Sequence, residues 1–139
     1  MKLTEKQKIY VDEAVRLFGK DLVVDTFDKL IKQGRRSRSG SICLYRLNEK
    51  ASCKVRCFIG WMIPDDKYKG ETDPNEMMEL LFHVGAITEP QWDELAETGL
   101  DKEGSMCLFE EIQSELHDSL KVKPVLTWKA MKSYIESKK

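Results

Sequence analysis

The apolar residues of this 139-residue chain recur mostly at intervals of three and four, and a single region carries the two-residue period of a strand. That contrast confines the fold to a helical body with a small piece of sheet, because the two periods bury different faces of the backbone. Thr4 and Gln7 stand at capping-box spacing: the threonine oxygen takes an orphan amide of the first turn, and the glutamine reaches back. Tyr10, Ala14, Leu17 and Phe18 follow at helical spacing, and Gly19 supplies the left-handed stop. Asp21 is placed to cap a second helix, whose Val23, Val24, Phe27, Leu30 and Ile31 form one apolar stripe ended by Gly34.

The strand signal lies just beyond. Ile42–Arg46 and Cys53–Cys57 are short and β-leaning, with a polar turn at Asn48–Ser52. Cys53, Val55 and Cys57 alternate with Lys54 and Arg56, the period of a half-buried strand. A hairpin over residues 42–59 places Cys43 opposite Cys57. Phe58–Ile63 is apolar on every side and is expected inside, as helix or strand, until Pro64-Asp65-Asp66 turns the chain. The remainder reads as helices. Asp73, Pro74 and Glu76 open one that runs to about Val84, and Thr88 with Gln91 opens another carrying Trp92 and Leu95 and closed by Gly99. Leu108, Phe109, Ile112 and Leu116 mark a longer one over about 105–120, and Thr127 is expected to cap a last helix with Trp128, Met131 and Ile135 inward. The expected fold is α+β, mostly α: about six helices around one small antiparallel hairpin, residues 42–59, in a single domain spanning 1–139. Phe27, Ile59, Trp61, Phe109 and Ile112 are its expected core.

With 41% hydrophobic and 34% charged residues the chain has enough apolar matter for one core and too much for a disordered segment. It holds no run of ~20 apolar residues, the length of a membrane span, and its charged N-terminus lacks a secretory pattern. A cytoplasmic protein with four reduced thiols is the expectation. The net charge of −1 hides a segregation: residues 1–56 are net +7, residues 57–120 net −13 and residues 121–139 net +5. A segment at −13 attracts basic surfaces, unless the basic ends of the same chain fold against it.

Candidate chemistry is sparse. Cys43 and Cys57, if opposed, suit two ligands of one zinc ion, with Cys107, His83 or His117 needed to complete the set. No C-x-x-C pair is present, so neither a metal nor a cofactor is expected. A nucleophilic cysteine is disfavoured because Lys54 and Arg56 point away from the thiols on a strand. His117-Asp118 with His83 hints at a metal-dependent phosphohydrolase, but no later aspartate completes the ligands. Gly34 to Gly40-Ser41 has the wrong spacing, and no lysine, for a phosphate loop. Arg35, Arg36, Arg38 and Arg46 form too short a cluster for nucleic acid, which the acidic segment repels. His117 and Gln113, one turn apart, are placed to hydrogen-bond to the hairpin or the Pro64–Tyr68 turn.

Cys43-Leu-Tyr-Arg46, the block Arg56-Cys57 through Gly60, Ile63-Pro64-Asp65 and Tyr68, and Gln113 with His117-Asp118 together resemble a family of small phage and prophage proteins of unassigned activity. The resemblance spans about residues 41–118. Phe58 stands where that family carries a small residue, and Gln113 lies one position further from His117. It implies a viral protein in the host cytoplasm and brings no catalytic residue with it. The expected function is non-enzymatic: binding and modulation of a host protein with a basic surface, of which counter-defence is one form. The contact surface expected for it is an acidic face of Asp93, Glu94, Glu97, Glu110, Glu111 and Glu115. The alternative is a small-molecule or nucleotide-binding protein, or an enzyme, with a pocket between the hairpin and the His117 helix lined by Arg46, Arg56, Tyr68 and His117. A zinc-stapled adaptor is the third reading.

Overall fold

Thr4 opens the first helix as its spacing to Gln7 predicts. Its Oγ1 accepts the Gln7 amide at 3.0 Å, and Gln7 Oε1 accepts the Thr4 amide at 2.9 Å, closing the box at the start of α1, Glu5–Phe18. The computed structural model describes residues 2–39, 42–43, 54–67, 80–87, 112–120 and 122–138. Gly19 ends α1 and also begins α2, Lys20–Gln33: its N–H bonds to Val15 O at 2.9 Å and its carbonyl accepts the Val23 amide at 3.2 Å. Its φ of 91° and ψ of 148° belong to a region essentially reserved for glycine. Asp21 is therefore not the cap of α2; it sits in the first turn, where a carboxylate meets the positive end of the helix dipole. Gly34, at φ 80°, closes α2 as expected.

The last helix, α3, runs Pro124–Ser137, so it starts ahead of the predicted cap. Thr127 is buried inside it, and Lys123 takes the capping position in the left-handed region at φ 48°. The physical reason is Pro124: proline lacks the amide that a first-turn residue leaves unbonded, and its fixed φ is already helical. Trp128, Met131 and Ile135 face inward as their spacing demands.

α3 packs along α2, and α1 lies against both. Val11, Ala14 and Leu17, Val23, Phe27 and Leu30, and Trp128 and Met131 meet between them. Phe58, Ile59 and Ile63 close one side of this core, with Leu81, Ile87, Ile112 and Leu116 also fully buried. The Phe58 ring lies 5.4 Å from Phe27 and 6.4 Å from Phe18, centroid to centroid. Phe27, Ile59 and Ile112 are core residues as expected, Trp61 is only half-buried, and Phe109 lies outside the described residues.

The α+β expectation is corrected: the described part is mostly helical, and it does not show the hairpin expected over 42–59. Ile42–Cys43 (β2) pairs with the preceding Arg38–Ser39 (β1), two residues against two, with Arg38 opposite Cys43. Among residues 54–59 only Arg56 makes a β-bridge, and Phe58–Ile63 is neither helix nor strand in the usual sense but a turn leading into one 3₁₀ turn, Gly60–Met62. The alternation puts Arg56 outside, yet it is 4% exposed, and its amide and carbonyl both bond to the Gln33 side chain. Helical residues 80–83 and 112–118 fall within two predicted helices, while the predicted helix over 88–99 lies outside the described residues. Among the described residues no helix is long and apolar enough to cross a membrane.

Candidate functional site

Residues 54–67 have almost no regular backbone pairing of their own, so their amides and carbonyls must find partners elsewhere. They find them on two sides. One side is the π turn Ser114–Asp118, in which the Ser119 amide reaches back five residues to Ser114 O at 2.8 Å. His117 is fully buried there and stacks on Trp128, with ring centroids 5.9 Å apart and planes at 18°. Its Nε2 accepts the Ser37 amide at 3.1 Å, so that nitrogen carries a lone pair and the ring proton sits on Nδ1. Nδ1 then donates to Asp118 Oδ1 at 2.7 Å. The same carboxylate oxygen accepts Gln113 Nε2 at 3.1 Å, and Gln113 Oε1 accepts the Ile59 amide at 3.2 Å. Arg36 Nη1 donates to the Asp118 carbonyl at 2.6 Å, and Trp128 Nε1 to Leu116 O at 2.7 Å.

A serine, a histidine and an aspartate in sequence invite comparison with an acyl-transfer triad. The geometry does not carry that chemistry. The partner of Nε2 is the Ser37 amide, while the Ser37 hydroxyl is directed to Val55 O at 3.4 Å. A general base must reach the proton it removes, and its nucleophile must meet substrate. Ser37 and His117 are both 0% exposed. The network latches residues 37 and 59 onto the π turn, leaving buried polar groups paired as stability requires.

The other side is the end of α2. Gln33 uses its whole amide: Oε1 accepts the Arg56 amide and the Trp61 indole N–H, each at 2.8 Å, and Nε2 donates to the carbonyls of Arg56, at 2.9 Å, and Arg35. The Arg56 guanidinium donates to Asp65 Oδ1 at 2.7 Å and lies 4.6 Å from the centre of the Trp61 ring, a cation–π distance. Lys54 stands 3.9 Å from the same carboxylate, and Lys29 Nζ 5.8 Å from the same ring. Lys29, Lys32, Gln33, Lys54 and Trp61 enclose a groove of about 450 Å³.

The predicted pocket residues are thus separated. Arg56 belongs to the Gln33 network and His117 to the Gln113 network; His117 lines none of the cavities found among the described residues. Arg46 and Tyr68 lie outside the described residues, as do Asp93, Glu94, Glu97, Glu110 and Glu111 of the predicted acidic face. Glu115, the one described member, is turned toward α1 and pairs with Lys6 at 3.2 Å, its side chain 18% exposed. Gln113 bonds to Ile59, within the 42–59 segment as expected, while His117 bonds to Ser37, and neither bonds to residues 64–67 of the turn. In the backbone register Cys43 stands opposite Arg38, and the Cys57 sulfur accepts the Gly60 amide at 3.3 Å. No group of three histidine, cysteine or acidic side chains fit to hold a metal occurs among the described residues. Gln33 and Trp61 were not among the predicted site residues; the available signal was Lys29, Lys32 and Gln33 at helical spacing on one face. No protein-family model, curated protein or solved structure matches this chain.

Proposed function

We propose that this is a binding protein and not an enzyme: a phage-type protein that engages a host protein and modulates it through the acidic segment 57–120. The observation that carries the first half is the closed network at His117. The one described histidine set beside a carboxylate spends both ring nitrogens on internal bonds in a site sealed from solvent. The charge distribution supports the second half, since a net −13 over residues 57–120 projects a field that favours a basic partner and speeds its encounter. Part of that charge is answered within the chain, where Glu115 meets Lys6 and Asp65 meets Arg56. The surplus acids therefore define the surface to test.

The test is capture from bacterial lysate at low and high salt, comparing wild type with Glu111→Lys and Asp93→Lys. A partner held at low salt, released at high salt and lost by both reversals supports the reading, because exposed charges are screened beyond ~8–10 Å at ordinary ionic strength. A partner bound equally by wild type and both reversals overturns the acidic surface as the contact.

A further inference from the structure

The cavities among the described residues differ in sign. One, at the start of α2, is lined by Asp21, Asp25, Asp28 and Glu136 with Lys20, and another by Asp12, Lys20 and Lys138 with two apolar residues. The groove at the end of α2 has three lysines, a glutamine and a tryptophan, and no acid, among the described residues of its wall. Behind it stands Arg56. Among the described residues these four cations meet two carboxylates: Asp25, 2.9 Å from Lys29, and Asp65, which Arg56 and Lys54 share. Lys32 has no ion pair there.

A helix end accounts for part of this, because lysines in a last turn complement the dipole. It does not account for Lys54, which arrives from a separate segment and is 74% exposed in its side chain. Nor does it account for Trp61. The indole is held by its N–H bond to Gln33 and by the Arg56 guanidinium, so the ring is rigid before anything binds and little ordering cost remains. A volume of about 450 Å³ is that of a small-molecule site, roomier than one bare anion needs.

We propose that this groove binds a small phosphorylated ligand with a planar ring, of the nucleoside phosphate class, with Lys29, Lys32 and Lys54 around the phosphate oxygens and the Trp61 indole against the ring. Lysine meets phosphate as a mobile point charge, and an aromatic face receives any base. A strand of nucleic acid offers the same chemistry, but a groove of about 450 Å³ is the size of a single small-molecule site, which favours the free nucleotide. The inference is independent of partner binding, and either can fail alone.

The experiment titrates the full chain with AMP, ATP, ribose 5-phosphate, inorganic phosphate and a short oligothymidylate, by calorimetry and tryptophan fluorescence in the absence of any partner protein. AMP and ATP are expected to saturate in the micromolar to submillimolar range, and AMP to bind ~10-fold or more tightly than ribose 5-phosphate, the worth of one stacked base. Lys32→Glu and Lys54→Glu, both surface changes that leave the melting curve in place, are each expected to weaken AMP ~10-fold, about the free-energy scale of one charge-assisted contact. Trp61→Phe keeps a ring in the wall and is expected to retain part of the affinity. Absence of saturation by either nucleotide at millimolar concentration overturns the proposal. So does AMP binding that both reversals leave unchanged, or an oligothymidylate affinity far above that of AMP, which assigns the groove to a strand.

Discussion

Two glutamines fasten the irregular segment 54–67 to the helices, and the surroundings of each differ. Gln113 ties the Ile59 amide to Asp118, and behind it the imidazole of His117 is closed between Asp118, the Ser37 amide and the Trp128 ring. Gln33 ties Arg56 and Trp61 to the end of α2, and on its outer side cations are left facing a groove. The same device thus builds a sealed latch in one place and the floor of an open cavity in the other. Residue types that suggest chemistry, such as a histidine beside an aspartate, are here the structural ones. The excess of cations over carboxylates, among the described residues, around a fixed ring is the better pointer to a site, because a fold has no need of it.

The sharpest way to break the comparison is His117→Ala. Removing the ring orphans the buried Ser37 amide and strips the stack from Trp128, so a loss of ~3–5 kcal/mol in urea unfolding is expected. A loss below ~1 kcal/mol is incompatible with a latch of satisfied buried groups. Gln33→Ala removes four bonds in a partly exposed place, where water can replace some of them, and is expected to cost ~1–3 kcal/mol in the same measurement. If it costs more than His117→Ala, the two regions have been ranked in the wrong order. Lys54→Glu, at the open side, is expected to shift stability by no more than ~0.5 kcal/mol, since its pair with Asp65 is long and solvated.

The smallest effect lies on α3, away from both glutamines, and separates their networks from ordinary surface pairing. Lys132 is held by Asp28 at 2.6 Å and Lys138 by Asp12 at 2.7 Å, and these hydrogen-bonded carboxylates raise both ammonium pKa values above the ordinary 10.5. A raised pKa means that the folded state holds the proton more tightly. The stabilisation is present in full below 10.5 and is lost as the pH climbs through the raised folded value. Melting curves followed upward from pH 9 are expected to show a slight decline in wild type, and a smaller one in Lys132→Met/Lys138→Met. An equal decline in both proteins removes these pairs from the account.

Much of the helical frame was legible because its causes are local. The Thr4–Gln7 box closes within three residues, and Gly19 and Gly34 stop α1 and α2 through their own backbone angles. The inward set Trp128, Met131 and Ile135 follows from helical spacing alone. The start of α3 was misplaced because Thr127 has the chemistry of a cap, while Pro124 had the stronger geometric claim. The hairpin failed for a different reason. Alternation at Cys53–Cys57 assumes that charge faces water, and Arg56 goes inside because Asp65 and the Trp61 ring are there to receive it.

Local spacing, then, settles the helical body, the Thr4 cap, the glycine stops and most of the residues those helices turn inward, since each depends on atoms a few positions apart. Only the tertiary structure decided the placement of the polar residues that join the pieces. His117 meets Ser37 across 80 positions and Gln33 meets Arg56 across 23, and no period or spacing encodes such pairs. A side-chain amide bonds whichever backbone edge the packed helices bring within its reach. That edge exists only once the chain has folded, and with it the groove between Lys32, Lys54 and Trp61.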